Sequence, residues 1–306
     1  MPKKLHIGYF ADGKWGHNAF HKLKSDDSIV IDFVCVRNDS RDPVLVKLAK
    51  ENCIDVLYTP NINSDEFLEK LEEYKSDLFV SMSFNQIFKE RIRNLPPHSI
   101  INCHAGKLPY YRGRNILNWA LINDEKEFGI TVHYVDAGID TGDILIQKTY
   151  PITDSDDYST LLETAYTECP VLLYEAIKQI QTGIVKRINQ NSINPHGLYC
   201  GMRGIGDEIL DWNQTSREVF NFIRSITKPG PCACSFTDKG KVVFVRSEEI
   251  PDAPKYKGIP GQVLVKTKDY ILVKTKDSYI KITDYEGNVR VGDRFTANGV
   301  FTLITK

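Results

Sequence analysis

The chain opens on an apolar run, Leu5 to Phe10, closed by Ala11-Asp12-Gly13, which reads as a buried first strand. A short helix is predicted around Trp15 to Lys22, and the β-branched run Ile29 to Val36 predicts a second strand. Pro43, at a first helical turn, opens a helix over VLVKLAKEN, and Ile54 to Tyr58 forms a third, short strand. Phe67, Leu68 and Leu71 repeat at helical spacing within Ser64 to Tyr74, where Ser64, Asp65 and Glu66 read as a capped start. Leu78 to Met82 and Ser99 to Cys103 are further apolar strands. Strands alternating with helices imply a parallel sheet covered on both faces. Such sheets hold ligands at the carboxyl ends of their strands.

The rhythm then changes. Gly129 to Val135 and Ile144 to Tyr150 are strand-like with little helix between them, and extend the sheet or form its antiparallel edge. Thr160 to Gln181 is the longest helix candidate, and Pro170 is expected to kink or divide it. Residues 190–210 are polar and aperiodic. A helix follows over Ser216 to Ser225, stopped by Pro229-Gly230-Pro231, then strands over Cys232 to Thr237 and Val242 to Arg246. The hexamer LVKTKD occurs at 264–269 and again at 272–277, and alternation continues through Tyr279 to Ile282. These are short antiparallel hairpins with a turn at Glu286-Gly287-Asn288. The expected fold class is α/β: a Rossmann-like, mostly parallel sheet with helices on both faces, plus a small C-terminal antiparallel β unit. The expected division is an N-terminal domain over 1–187, a helix-strand extension over 188–254 and a β subdomain over 255–306.

An apolar fraction of 42% in 306 residues excludes a disordered chain and a small disulfide scaffold. The first ten residues do not read as a leader, and with no window of 18 apolar residues no membrane span is expected. Seven unevenly spaced cysteines read as reduced thiols of a cytoplasmic protein. The balance of 39 Lys and Arg against 40 Asp and Glu argues against a nucleic-acid partner. The total hides a basic tail, since residues 255–306 hold ten Lys and Arg against five Asp and Glu. That alternating Lys reads as a solvated face guarding a strand edge.

Candidate chemistry is densest over 99–143. Asn102 and His104 alternate at the end of an apolar strand, so both face one side, and Gly106 and Pro109 follow. Asp136, Asp140 and Asp143 share a loop with Gly138 and Gly142. Gly13 and Gly16 do not make a dinucleotide fingerprint, and no P-loop occurs. Cys232 and Cys234, even with Cys200 and His196, read as core residues rather than a zinc site, and no metal is expected. Tyr110, Tyr111, Trp119 and Trp212 are aromatic candidates for a pocket, although Trp119 fits a helical core pattern.

Three segments carry a resemblance: Asn102-Cys103-His104, Leu108-Pro109-Tyr110-Tyr111-Arg112-Gly113 and Asp140-Thr141-Gly142. In this order and spacing they resemble the folate-dependent formyltransferases over roughly residues 1–250. The resemblance implies formyl transfer from N10-formyltetrahydrofolate to an amine, with Asn102, His104 and Asp140 as the catalytic trio. It implies an oxyanion donor in Asn102, and a His104 whose partner is Asp140. Whether His104 donates to that oxygen or moves the amine proton, and whether Asp140 orients His104 or takes the proton itself through water, stays open. It also implies a folate held by Met82, Ser83, Phe84 and Gln86, mainly through backbone, and by Asp136, Ile139 and Gly142. The wording around Gly106 to Asn115 is most similar to the sugar-nucleotide N-formyltransferases. Lys107, Tyr111, Arg114 and Trp212 are then the candidate contacts to a nucleotide-linked amino sugar. The tail resembles the start of the tRNA-holding domain of methionyl-tRNA formyltransferases but is shorter, so tRNA is the alternative acceptor. A non-catalytic sugar-nucleotide-binding or assembly protein is the alternative of another class. Likeness to the family further implies a homodimer that makes N-formyl sugars for lipopolysaccharide O-antigen.

Overall fold

The computed structural model describes residues 4–255 and 257–298. Along the chain lie β1 (Leu5–Ala11), α1 (Gly13–Lys24), β2 (Ile29–Cys35), α2 (Pro43–Glu51), β3 (Asp55–Leu57), α3 (Asp65–Tyr74) and β4 (Leu78–Met82). Then follow α4 (Glu90–Arg93), β5 (Ile100–His104), β6 (Arg112–Gly113), α5 (Ile116–Ile122), β7 (Glu127–Tyr134), β8 (Ile144–Pro151) and α6 (Tyr158–Thr182). The remainder is β9 (Tyr199–Cys200), α7 (Ser216–Ser225), β10 (Ala233–Thr237), β11 (Gly240–Glu248), β12 (Val263–Lys266), β13 (Ile271–Lys274) and β14 (Tyr279–Glu286). The chain forms two compact units: Met1–Ile116 with Phe128–Tyr150 and Glu163–Cys200, and Leu117–Glu127 with Pro151–Leu162 and Gly201–Lys306.

The first unit is built on a seven-stranded sheet in the order β3-β2-β1-β4-β5-β7-β8. β1 to β5 pair in parallel, and β7 runs antiparallel to β5, so the two late strands extend the sheet at its end. The hydrophobic runs of β1 and β4 are buried throughout or nearly so, as central parallel strands require. Phe10 anchors one core cluster, with Phe33, Phe79, Phe84 and Phe88 set edge-on around it at centroid distances of 5.1 to 5.5 Å. Helix α3 starts at Ser64 as expected, but the Ser64 hydroxyl donates to the Asn61 carbonyl instead of capping.

Helix α6 is not divided at Pro170 and runs unbroken from Tyr158 to Thr182. Proline lacks the N–H that would reach the carbonyl four residues back, that of Tyr166. Asn18 of α1 donates its side-chain amide to that carbonyl at 2.9 Å. The orphaned acceptor is thus satisfied from a neighbouring helix, which offsets the hydrogen bond that an interior proline forfeits.

The second unit holds a five-stranded antiparallel sheet in the order β10-β11-β14-β13-β12. The doubled hexamer lies on the β12–β13 hairpin. Helix α7 carries a full capping box between Thr215 and Glu218 and packs Val219, Phe220 and Ile223 into a core with Phe244, Ile271, Val273, Ile280 and Ile282. Residues 188–200, grouped by sequence with the extension, fall in the first unit, where β9 pairs with β6. Residues on either side of 254 share the second unit, because β11 pairs with β14. The reading of the tail lysines as a solvated face fails at Lys274, which is 1% exposed and donates to the Thr275 carbonyl at 2.6 Å. No helix among the described residues is long and apolar enough to cross a membrane.

Replacing Asn18 with Ala should destabilise the protein by about 1–3 kcal/mol, read as a lower denaturation midpoint. In a Pro170→Ala background the restored N–H serves Tyr166, and the same change should cost clearly less. An equal cost in both backgrounds would refute this account of α6.

Candidate active site

Asn102 and His104 leave β5 two residues apart, so their side chains project from one face of the sheet. The antiparallel register sets Thr131 opposite His104 and His133 opposite Asn102, which adds His133 to that face. The segment after β7 then folds back and brings in Asp140. Its Oδ2 lies 3.7 Å from His104 Nδ1, and its Oδ1 lies 3.5 Å from His133 Nε2. The Gly113 N–H donates to Asp140 Oδ2 at 2.8 Å. The three residues singled out by sequence are therefore brought together, and a fourth joins them.

The protons on the two rings follow from their partners. His104 Nε2 lies 2.7 Å from the Tyr111 carbonyl, and a carbonyl only accepts, so Nε2 carries a proton. A neutral ring then turns its Nδ1 lone pair toward Asp140, and a protonated ring turns a donor there. His133 Nδ1 donates to the Tyr134 carbonyl at 2.8 Å, and its Nε2 faces both Asn102 Nδ2 at 3.3 Å and Asp140 Oδ1: a neutral ring accepts there from Asn102, and a protonated ring donates to Asp140. With the neutral ring, one N–H of the Asn102 amide is occupied by His133 and the direction of the other is set.

Burial alone would raise the Asp140 carboxyl. The charge of His104, the bond and charge of His133, and the Gly113 N–H outweigh it and hold the group well below the ordinary carboxylate range. The backbone is shaped to allow this. Ser83, Tyr111 and Asp140 all adopt left-handed φ values, 61°, 37° and 53°, uncommon for such residues and frequent at functional sites. A Cβ on Gly106 would lie 2.4 Å from both His104 Nε2 and the Tyr111 carbonyl oxygen, so only glycine leaves room for their bond. A Cβ on Gly142 would lie 1.8 Å from the Tyr134 carbonyl oxygen.

The other expected contacts divide. Met82 is buried at the end of β4, while Ser83 is exposed and Phe84 half-buried against the aromatic cluster. Gln86 spends its side chain on the backbone, accepting from Ile62 N and donating to Thr59 O. Ile139 is 53% exposed, and Asp136 accepts from Gly138 N and from the Thr141 hydroxyl. Lys107 and Tyr111 are half-buried and Arg114 is exposed. Trp212 is a correction: it is 4% exposed within the second unit's core, stacked on Phe295, with its N–H on Ser235 Oγ. Its apolar ring belongs to that core, so it offers no face to a ligand. Among the described residues no cluster of three His, Cys, Asp or Glu could hold a metal. His133 was missed from sequence, although Thr131 and His133 alternate within an otherwise apolar strand, the mark of a polar face.

The sequence matches the family model described as Formyl transferase over residues 19–177, and that described as Formyl transferase, C-terminal domain over 206–290. The methionyl-tRNA formyltransferase of Thermodesulfovibrio yellowstonii is 31% identical over 240 residues, covering 78% of this chain and 75% of its own. That of Halothermothrix orenii is 31% identical over 295 residues, 92% of each chain. Among solved structures, an N-formyltransferase from Helicobacter canadensis in complex with folinic acid and dTDP-3-aminofucose is similar with a TM-score of 0.71. That match is 22% identical and covers 93% of this chain and all of the other.

The sign of the Asp140 effect is fixed by its lowered pKa. The carboxylate contributes stability fully above its unfolded pKa, ordinarily about 3.9, and loses it as pH falls through the lower folded value. A carboxyl-carbon NMR titration should therefore find Asp140 still ionised where exposed aspartates have protonated. Gly142→Ala should lower stability by at least about 1–3 kcal/mol, since the contact it makes is with backbone, and thermal melts would show it.

Proposed function

Because the chain belongs to the formyl transferase family, we propose that it moves a formyl group from N10-formyltetrahydrofolate to the amine of a nucleotide-linked amino-dideoxy sugar. The acceptor we favour is dTDP-4-amino-4,6-dideoxyglucose or a 3-amino analogue. The observation that carries the choice of acceptor is the charge of the second unit. By sequence that unit has eighteen Lys and Arg against nineteen Asp and Glu. Three of the ten cations of its basic tail are spent internally: Lys274 is buried, Lys266 donates to the Val289 carbonyl, and Lys281 pairs with Glu248. A cavity of about 810 Å³ in the same unit is lined by seven carboxylates, including Asp154, Asp156, Glu248 and Asp284, against Arg224 and Arg246. Such a surface repels a phosphate backbone, whose binding needs a field of free cations. The dTDP-3-aminofucose in the complex of the Helicobacter canadensis protein supports the same acceptor class. The second reading, methionyl-tRNA, is favoured by what the 31%-identical relatives are named to act on.

The donor fits what the site offers. Ser83 turns in a left-handed conformation at the end of β4, beside the half-buried Phe84, and the 136–142 loop presents Ile139 to solvent. An exposed apolar side chain and an aromatic ring suit a flat heterocycle. When bound, the donor supplies an activated formyl carbon. The residues of the chain do the rest. Asn102 directs its second N–H to an oxygen that gains negative charge. His104 takes or returns the amine proton at Nδ1, because Nε2 is committed to Tyr111. Asp140, ionised, holds a carboxylate oxygen 3.7 Å from that nitrogen and balances the charge the proton brings. We further infer a cytoplasmic homodimer whose product enters lipopolysaccharide O-antigen, from family likeness.

Purified protein should release tetrahydrofolate from the formyl donor when dTDP-amino sugar is added, with an N-formyl product by mass spectrometry. Turnover with charged initiator tRNA but with no amino-sugar nucleotide would sink the acceptor assignment. His104→Asn should lower kcat by about 10²–10⁴-fold. Asn102→Ala should lower it by about 10²–10³-fold with a normal melting curve.

A further inference from the structure

Gln190 lies in the segment between α6 and β9, outside the three segments that carry the resemblance and between the two stretches matched by the family models. It is 1% exposed, and all four of its hydrogen-bonding positions are used. Its amide nitrogen donates to the Asp140 and Gly142 carbonyls, both at 2.8 Å. Its amide oxygen accepts from Arg112 Nε at 3.1 Å and Nη2 at 2.7 Å. The amide cannot be reversed, because that would set two N–H groups against Arg112 and an oxygen against two carbonyls. Arg112 is itself buried, and its backbone leads directly into the Gly113 N–H that holds the Asp140 carboxylate. One side chain thus ties together both segments that grip Asp140.

Asp140 needs that tie. Its left-handed backbone, at φ 53°, is an unfavourable conformation that persists only when its surroundings enforce it. The two carbonyls held by Gln190 bracket the turn, one being Asp140's own. We propose that Gln190 is a positioning residue that sets the Asp140 carboxylate against His104 and His133. The proposal rests on the reading of Asp140 as the carboxylate that serves His104.

Gln190→Glu tests it with the fold preserved, because a carboxylate still pairs with Arg112. At neutral pH that carboxylate has no donor for the Asp140 and Gly142 carbonyls and repels them. Lowering the pH protonates it and returns one O–H donor. The expected result is a cooperative melt, KM values within about twofold of wild type, and a kcat lower by about 10²-fold at neutral pH. The kcat should recover partly as pH falls, a trend wild type does not share. Independently of turnover, the carboxyl-carbon titration should place Asp140 about one unit or more higher in the variant. Unchanged kcat with an unchanged Asp140 titration overturns the proposal, as does a loss of kcat that is the same at every pH with Asp140 unmoved. Asp140→Asn separates the two readings. If it is fully active, the role given to Asp140 is wrong. If it is inactive while Gln190→Glu behaves as wild type, only the role given to Gln190 is wrong. Should Gln190→Glu lack a cooperative melt, Arg112→Met combined with Gln190→Met removes the buried charge together with the amide. That pair is expected to show the same raised Asp140 titration, and an unmoved one overturns the proposal.

Discussion

An ionised carboxylate with 13% of its side chain exposed must be compensated where it lies, and the arrangement around Asp140 is that compensation. Two rings, one backbone N–H and a bent backbone all converge on it. Each has its own requirement in turn. His104 reaches Asp140 only because its other nitrogen is tethered to the Tyr111 carbonyl, which in turn requires glycine at 106. His133 stands opposite Asn102 only because β7 runs antiparallel to β5. A parallel strand there would enter the site from the other direction and could not return its loop onto the same face so directly. The reversal of one strand at the end of a parallel sheet thus makes a four-residue polar site out of a two-residue motif.

Unfavourable backbone is placed where neighbours absorb it. Tyr111 and Asp140, both left-handed, sit on either side of the Gly113 N–H contact, and the carbonyl of one and the carboxylate of the other hold His104 between them. Pro170 follows the same logic at a structural position. The carbonyl it strands is met by Asn18, so α6 stays whole. In both places a residue that weakens local structure is tolerated because a side chain from elsewhere in the first unit supplies the missing bond.

What sequence reveals follows this division. Periodicity located nearly all of the long elements, since burial on one or both faces writes itself into the spacing of Ile, Val, Leu and Phe. Helix α7 is found at its expected bounds, Ser216 to Ser225, because a capping box and a Pro-Gly-Pro stop are both local signals. Asn102, His104 and Asp140 were legible as a motif. Gln190 and the role of His133 were not, because their contacts are to residues 78 and 31 positions away. Trp212 misled for the converse reason. An aromatic beside polar residues resembles a ligand contact until the strand carrying Ser235 is known to lie against it.

Charge shows the same limit most sharply. The +5 of residues 255–306 is a property of a segment, and segments do not present fields. Folding places Asp154, Asp156 and Asp157, from a distant part of the chain, in the same unit as that tail and around one cavity. It also turns Lys274 inward and ties Lys239 to Asp293. A lysine bound to a carbonyl or a carboxylate releases no counterions to a nucleic acid, so it adds nothing to the affinity that tRNA recognition would require. A diphosphate-linked sugar makes a smaller demand, since a few donors suffice for it. What a unit can hold depends on which charges folding leaves free and on the carboxylates it sets beside them, a quantity that neither net charge nor a basic tail measures.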